Sequence, residues 1–406
     1  MMKNNDKQIV SLDPILNRKF PCFLDIEKAA QKRMPRFIRE YISGGIGQDL
    51  GVTRNRTELD NVLLTPRYLV ETDDVNIECE ILGQQYDAPF GVSPVGFGDL
   101  AWPKSAQIIA SAAKAHNIPF GSSIFTLCNL ETIRQHAGSS AWFQLYHPKD
   151  PAVTRDLLLR AETAGYKNLL VTVDVPAPTR RDHDIRNGFL LPVHIGLRNL
   201  VELILHPGWT LASTQTGFPV FENFTPYIKD RVSKNEALAV SSDMLAGHVT
   251  PDMLSALREN WRGNLIIKGV LDSDEAIQYK SAGADGFVVS NHGGRQLEAA
   301  PSPVQVLPQM RNVLGDDVVL IAEGGVRTGL DICRMLALGA DFVMAGRPFY
   351  CAVAALGAKG ASHMMSVLKD ELTCTMGQLG CNQLAELSSR LFNENELETS
   401  RSVLPF

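Results

Sequence analysis

Eight short apolar runs recur along this chain at the pace of strand followed by helix, and that rhythm constrains the fold more than any other feature. The runs are PFGVSP (89–94), IPFGSS (118–123), AWFQLY (141–146), NLLVTVD (168–174), NLIIKG (264–269), GFVVSN (286–291), VVLIAEGG (318–325) and FVMAGR (342–347). Helical stretches lie between them, such as KSAQIIASAAKAH, AVTRDLLLRAETAG, SDEAIQYKSAG and GLDICRMLALG. Several close on Ala-Gly or Leu-Gly-Ala, the expected helix C-cap. Continuous apolar strands alternating with helices imply a parallel sheet. Eight such units over about 260 residues predict a (β/α)8 barrel, an α/β fold. A doubly wound sheet would also alternate, but its GxGxxG fingerprint after the first strand is missing.

The barrel is expected over residues 86–385, with residues 1–85 as an N-terminal helical extension and 386–406 as a tail. In the extension, DIEKAAQKRMPRFIREYISGG has helical spacing and a stop at Gly44 and Gly45. One gap breaks the rhythm, because the fourth run ends at Asp174 and the fifth begins near Asn264. An insertion at about 188–255 is therefore placed on the catalytic face. Within it, HIGLRNLVELILHPGWTL sets Ile195, Leu197, Leu200, Val201, Ile204 and Leu205 largely opposite Arg198, Glu202 and His206. That pattern predicts an amphipathic helix ended by Pro207 and Gly208, whose uses are membrane-surface docking or, more plainly, lid or subunit packing. The stretch STQTGFPVFENFTPYIKDRVSKNEALAVSS has little periodicity and reads as a loop.

Composition narrows the class. A formal charge of −6 and the lack of a long basic run give no sign of a nucleic-acid partner. The seven cysteines are scattered, without metal-ligand spacing, and read as reduced thiols of an intracellular protein with no metal site. MMKNNDKQIVSLDP lacks the apolar core of a signal segment, and no run of 18 uncharged apolar residues appears.

In such barrels, ligands sit at the C-terminal ends of the strands. Every run ends on polar or special residues: Ser93-Pro94, Ser122-Ser123, Gln144/Tyr146, Thr172/Asp174, Lys268, Ser290/His292, Glu323 and Arg347. Capping alone does not account for eight in eight. The last two ends, EGGVRTG and AGRP, pair glycine with arginine where a strand gives way to a helix. Glycine lets backbone N–H groups approach an anion, and arginine adds forked donors, so Gly325, Arg327, Gly346 and Arg347 are expected to bind a phosphate. Lys268 enters the mouth, and Gln144, Thr172 and Ser123 suit the amide edge of a flat heterocycle. A phosphate, such an edge and a lysine for developing negative charge together describe a flavin mononucleotide site. In SNHGGRQLE (290–298), His292 and Arg295 set a base beside a fixed cation, which suits chemistry on a small organic anion.

WFQLY, TVD, RRDHDIRN, IIKG, SNHGGRQLE, EGGVR and AGRP, in this order, resemble the FMN-dependent L-2-hydroxy acid dehydrogenases and oxidases, which include glycolate oxidase, lactate oxidase and mandelate dehydrogenase. The resemblance runs from about residue 25 to 385. It implies oxidation of a small 2-hydroxy acid to the 2-oxo acid with FMN as cofactor. His292 would be the general base and Asp174 the carboxylate that stabilises its imidazolium. Arg181 and Arg295 would hold the substrate carboxylate, with Arg180 the alternative to Arg181. Tyr41 and Tyr146 would bind carboxylate and hydroxyl. Pro94, Val95 and Gly96 would run beside flavin N5 and Lys268 beside N1 and O2. Ser123, Gln144, Thr172 and Ser290 match further flavin contacts. Glu323, Gly324, Gly325, Val326 and Arg327, with Gly346 and Arg347, match the ribityl and phosphate site.

Three departures bear on what the resemblance implies. Glu323 stands where the family usually has aspartate. ISGGIGQDLG replaces the usual pattern after Tyr41, so that tyrosine rests on its spacing from Pro35. Gly96 stands where oxygen-using members commonly carry alanine, which leans toward a dehydrogenase passing electrons to a quinone or cytochrome, with the peroxide-forming oxidase as the alternative. GFGDLAWPK and LHPGW are most similar to the mandelate dehydrogenases, whose insertion docks on the membrane. The resemblance further implies a homotetramer, and a cytoplasmic protein with peripheral attachment to the inner face of the cell membrane. Side-chain specificity is expected from Phe97, the insertion, and Ile124 or Phe125. Isomerising barrels share the glycine-arginine ends but lack HGGR beside a TVD aspartate, and a flavin-binding protein without catalysis would not need these groups intact.

Overall fold

A computed structural model describes residues 12–189, 196–228 and 232–392. The eight predicted runs are the eight strands of a closed barrel, all parallel: β3 (Phe90–Val92), β4 (Phe120–Ser123), β5 (Ala141–Leu145), β6 (Asn168–Thr172), β7 (Asn264–Val270), β8 (Gly286–Val289), β9 (Val319–Glu323) and β10 (Phe342–Ala345). β10 pairs with β3 to complete the ring. A two-stranded antiparallel hairpin, β1 (Cys79–Ile81) and β2 (Gln84–Tyr86), precedes them.

Strand side chains alternate between two faces, so one face of every strand must enter the barrel. Trp142, Leu170, Ile266, Val288, Ile321, Phe342 and Met344 form one buried apolar cluster with Tyr86 and Ile81 of the hairpin. Their chain neighbours Phe143, Leu169, Val171, Ile267, Phe287, Leu320 and Val343 belong to a second core, between barrel and helices. The inner cluster is the plug of the barrel, and the Trp142 indole N–H donates to Tyr86 Oη at 3.0 Å. One pleat period toward the C-terminal end, the same inward rows continue as Ser93, Ser123, Gln144, Thr172, Lys268, Ser290 and Glu323, all buried. Apolar below and polar above is thus written into five of the strands as two residues two positions apart: Trp142/Gln144, Leu170/Thr172, Ile266/Lys268, Val288/Ser290 and Ile321/Glu323.

Around this frame the lead-in contributes Pro14–Lys19 and Leu50–Asp60 and, between them in the chain, the two helices of the predicted stretch, Phe23–Arg33 and Arg36–Ser43. Pro35 separates them because it cannot donate the backbone hydrogen bond that would continue the first. The longest apolar helical stretch, Arg347–Leu379, is mostly buried and belongs to the core.

The insertion departs from expectation twice. The helix Leu197–Leu205 forms, but Pro207 opens a second helix, Pro207–Thr216, where its missing N–H costs nothing. The stretch read as a loop holds the end of that helix and all but the last residue of Lys234–Asp243. The latter starts with a capping box, in which Glu236 N–H donates to Ser233 Oγ at 3.2 Å and Ser233 N–H to Glu236 Oε2 at 2.7 Å. The S-x-x-E signal was legible, but the helix is too weakly amphipathic to announce itself. Ile195 lies outside the described residues.

The plug gives a stability prediction. Trp142→Ala removes the largest fully buried side chain of the inner cluster and leaves the Tyr86 hydroxyl unpaired. It should cost about 3–5 kcal/mol in urea unfolding, and a loss near zero would mean that the plug is not closely packed.

Candidate active site

Above the polar tier the strands give way to loops, and a cavity of about 340 Å³ opens there. Its wall includes Tyr41, Pro94, Val95, Gly96, Tyr146, Arg181, Lys268, His292, Arg295, Glu323, Gly324, Gly325, Val326, Arg327, Gly346 and Arg347. Residues from five of the eight runs, from the loops that follow two more (Arg181 and His292) and from the lead-in therefore converge. Arg181 faces the cavity, whereas the Arg180 side chain is 83% exposed, which separates the two candidates.

His292 sits two residues past the inward Ser290, in left-handed backbone at φ 57°. Two features hold this unusual conformation for a histidine: its N–H donates to Ser290 Oγ at 2.9 Å, and Gly293 and Gly294 follow at φ 65° and 77°. The ring is thereby turned so that Nδ1 meets Asp174 Oδ1 at 2.9 Å and Nε2 lies 3.4 Å from Tyr146 Oη. Asp174 needs space made for it. Gly269, at φ 97°, lies against that carboxylate, and a Cβ there would run into it.

Burial disfavours the imidazolium, and Lys268 and Arg181 repel it; Asp174 opposes them without prevailing, so the His292 pKa lies below its ordinary value. Burial also acts against the Asp174 anion, but His292 and Lys268 outweigh it and keep the carboxyl ionised. A neutral imidazole oriented by a carboxylate is poised to accept a proton.

The arginines of the cavity wall are held by carbonyls. Arg295 Nη1 donates to Tyr41 O at 2.6 Å and Gly44 O at 2.9 Å, and its guanidinium lies over the Tyr41 ring. The Tyr41 hydroxyl donates to Gly96 O at 3.0 Å. Burial first, then repulsion by Arg181, lowers the Arg295 pKa to about 10. On the far side, Arg347 donates to Ile42 O, Gly44 O and Gly293 O. Burial and the neighbouring Arg327 and Arg295 bring it to about 9. Among the described residues, no carboxylate lies within ion-pair distance of Arg295, Arg327 or Arg347.

Ser123, Gln144 and Thr172 form a buried row, with Ser123 Oγ donating to Gln144 Oε1 and Gln144 Nε2 to Thr172 Oγ1, both at 2.9 Å. Glu323 reaches Lys268, and accepts from Ser290 Oγ and Ser93 Oγ at 2.7 Å each.

Part of the wall escaped the sequence reading. Val175, Phe221, Ser242 and Leu245 come from the insertion side, and Tyr350 from the last barrel helix. Phe221 packs on Phe97 and Phe125 with ring centroids 4.3 and 4.7 Å away. The available signal was three phenylalanines in FPVFENF, within a stretch otherwise polar.

The sequence profile of the FMN-dependent dehydrogenases matches residues 30–394. The chain belongs to that family. It is 35% identical to an L-lactate dehydrogenase of Bartonella quintana over 369 residues, 90% of this chain and 95% of that one. An L-lactate dehydrogenase of Vibrio cholerae is 34% identical, over 90% of this chain and 96% of its own length. Among solved structures, the monotopic membrane protein (S)-mandelate dehydrogenase superposes with a TM-score of 0.87 at 32% identity, covering 92% of this chain and 99% of that one. A mandelate oxidase variant superposes with a TM-score of 0.78 at 30% identity, covering 92% and 99%.

FMN fits the residues present. Guanidiniums clustered in a cavity wall without carboxylate partners call for bound anions, and a phosphate and a substrate carboxylate would supply them. Gly325, at φ 80° in the same wall, packs directly on the lead-in helix Leu50–Asp60, where a Cβ would lie 2.6 Å from Asn55 O.

The His292 reading is testable without turnover. In an NMR titration of the holoenzyme, the imidazole should titrate below 6.5, and Asp174→Asn should lower the midpoint further because a raising influence is lost. A midpoint above 6.5 in the unmodified protein would contradict this electrostatic account.

Proposed function

We propose that this protein oxidises an L-2-hydroxy acid to the 2-oxo acid and passes the electrons from FMN to a quinone or similar acceptor. The reading rests above all on His292, held by Asp174 at 2.9 Å, facing a cavity that also contains Arg181, Arg295 and Tyr146. It is supported by relatives named as lactate and mandelate dehydrogenases. FMN, when bound, supplies the two-electron acceptor.

Arg181 and Arg295 grip the substrate carboxylate, and Tyr41 and Tyr146 fix its orientation. His292 accepts the proton as the carbinol becomes a carbonyl, and Asp174 stabilises the imidazolium that results. Arg327, Arg347, Gly325 and Gly346 would hold the phosphate. Pro94, Val95, Lys268, Ser123, Gln144, Thr172 and Ser290 would border the ring, and Glu323, Gly324 and Val326 the ribityl chain. Gly96 carries no methyl; one there would come within 3.3 Å of Phe125 Cβ, so glycine leaves room in the wall. That space favours the dehydrogenase reading over the oxidase.

The substrate's side chain is bulky, and an aryl group suits the wall best. Phe97, Phe125 and Phe221 make a ring cluster on the cavity, and a single methyl would leave this apolar surface uncovered. Anaerobic mixing with L-mandelate, L-lactate and glycolate, followed by air, tests both points. L-mandelate should bleach the flavin fastest, with slow recolouring in air. Rapid recolouring with peroxide would establish the oxidase, and no bleaching by any of the three acids would remove the reading. His292→Ala should retain FMN and lose roughly 10²–10⁴-fold in turnover or more.

The insertion attaches the protein to the inner face of the cell membrane. Helix Leu197–Leu205 lies with its polar side inward: Glu202 accepts from Arg36 N–H at 2.9 Å, and the buried Asn199 donates to Asn187 O at 2.8 Å. Leu197, Leu200, Val201, Ile204 and Leu205 face outward and exposed, joined by Leu211 of the next helix. An apolar helix face turned to solvent is what an interfacial anchor requires. Assembly as a homotetramer is part of this proposal. Sedimentation with phospholipid vesicles should be strong for the unmodified protein and lost in Leu197→Glu/Ile204→Glu with turnover kept; equal sedimentation of both would refute the anchor.

A further inference from the structure

On the cavity floor, the Lys268 ammonium is almost wholly buried and paired with Glu323. That carboxylate has no idle oxygen. Oε1 also accepts from Ser290 Oγ and Oε2 from Ser93 Oγ, both at 2.7 Å. Four strand ends, of β3, β7, β8 and β9, are thereby tied to one side chain. Asp174 is the other acid acting on Lys268. Burial opposes the ammonium, but Glu323 and Asp174 together hold it charged. Burial likewise opposes the Glu323 anion, and Lys268, Ser290 and Ser93 keep it ionised. The floor therefore contains a cation largely cancelled by its neighbour.

A flavin gains negative charge on reduction, and charge beside its ring sets its potential. A free ammonium in a water-poor site would favour the reduced form strongly, because two unit charges a few ångströms apart interact by several kcal/mol at an effective dielectric near 20. We propose that Glu323 is a potential-setting residue, which by neutralising Lys268 holds bound FMN at a lower midpoint potential than the lysine alone would give. The proposal rests on the reading above, in which Lys268 borders the flavin ring. A lower potential makes the reduced cofactor a better donor to its acceptor.

Glu323 also reaches the base indirectly. Ser290 Oγ, which donates to Glu323, accepts the N–H of His292. Loss of activity in a Glu323 variant would therefore not separate redox tuning from a displaced histidine. The potential does separate them.

The deciding experiment is a reductive titration of the FMN-bound protein against a reference dye, in the unmodified chain, Glu323→Gln and Glu323→Asp. Glutamine keeps the shape and removes the charge. The affinity ratio of reduced to oxidised FMN should rise about ten- to a hundredfold, a positive shift of ~30–60 mV for a two-electron couple. Aspartate keeps the charge but withdraws it from Lys268, so its shift should be positive and smaller. Adding Lys268→Met to Glu323→Gln should cancel most of the rise. An unchanged or lower potential in Glu323→Gln overturns the proposal, and if that variant holds no FMN, the same result in Glu323→Asp does so. Such a result in a protein still bleached by a 2-hydroxy acid would leave the proposed function standing. An unmodified holoenzyme that no 2-hydroxy acid bleaches would remove that function, while the titration could still be read.

Discussion

The two-residue period of a β-strand, imposed on eight strands closed into a ring, is the constraint on which the site depends. Each strand has one inward row, and a closed ring leaves no edge by which a row could escape. Trp142, Leu170, Ile266, Val288 and Ile321 fill the lower part of that space. Gln144, Thr172, Lys268, Ser290 and Glu323 follow two residues later, and Tyr146, Asp174, His292 and Gly325 two later again. A polar group placed lower would be buried without partners, and an apolar one placed higher would fill the pocket. Catalytic and structural requirements are thus divided along the barrel axis, and the register of neighbouring strands brings groups far apart in sequence to the same height. His292 and Asp174, on loops after β8 and β6, meet at 2.9 Å for that reason.

Charge in this site follows a second rule. The acids and Lys268 are paired within the barrel mouth, whereas Arg295, Arg327 and Arg347 are satisfied by main-chain carbonyls. Carbonyl dipoles position a guanidinium without neutralising it. The lowered pKa values of Arg295 and Arg347 express the cost of leaving such charge uncompensated, a cost that anionic ligands would offset on binding. The protein gives up stability in its ligand-free form to gain a wall preset for anions at both ends.

What could be read from sequence follows the same division. Strand positions, polar ends and the glycine-arginine turns were legible because period and burial act locally there. Arg180 and Arg181 were inseparable, since no register extends beyond Asp174; only the loop's path turns one inward. Phe221 was missed because an aromatic in an aperiodic stretch gives no direction. The helices at Pro207 and Lys234 were misjudged for other reasons: a proline at a helix start resembles one at a helix end until the next turn is seen, and Lys234–Asp243 is too weakly amphipathic to stand out. Amphipathicity correctly located Leu197–Leu205 but not its orientation. The moment of a helix says that two faces differ, and Asn199 and Glu202 decided which one was turned inward.

Glu323 shows how a small change of length acts inside such a frame. A carboxylate on a strand end has a fixed origin, so its reach decides its partners. Glutamate at this position reaches Lys268 and both serines together, which brings opposite charge against the lysine and ties Ser290, and through it the His292 backbone, to the same point. The charge beside Lys268 and the geometry of the His292 loop then share a side chain. An alteration there should register in both, whereas an alteration in the Phe221 wall should register in substrate choice alone. The barrel's inward rows bring Lys268 and Glu323 together, and the insertion adds Phe221, Ser242 and Leu245 to the cavity wall from outside it, because it is the barrel's register that fixes the height at which each strand end meets its neighbour.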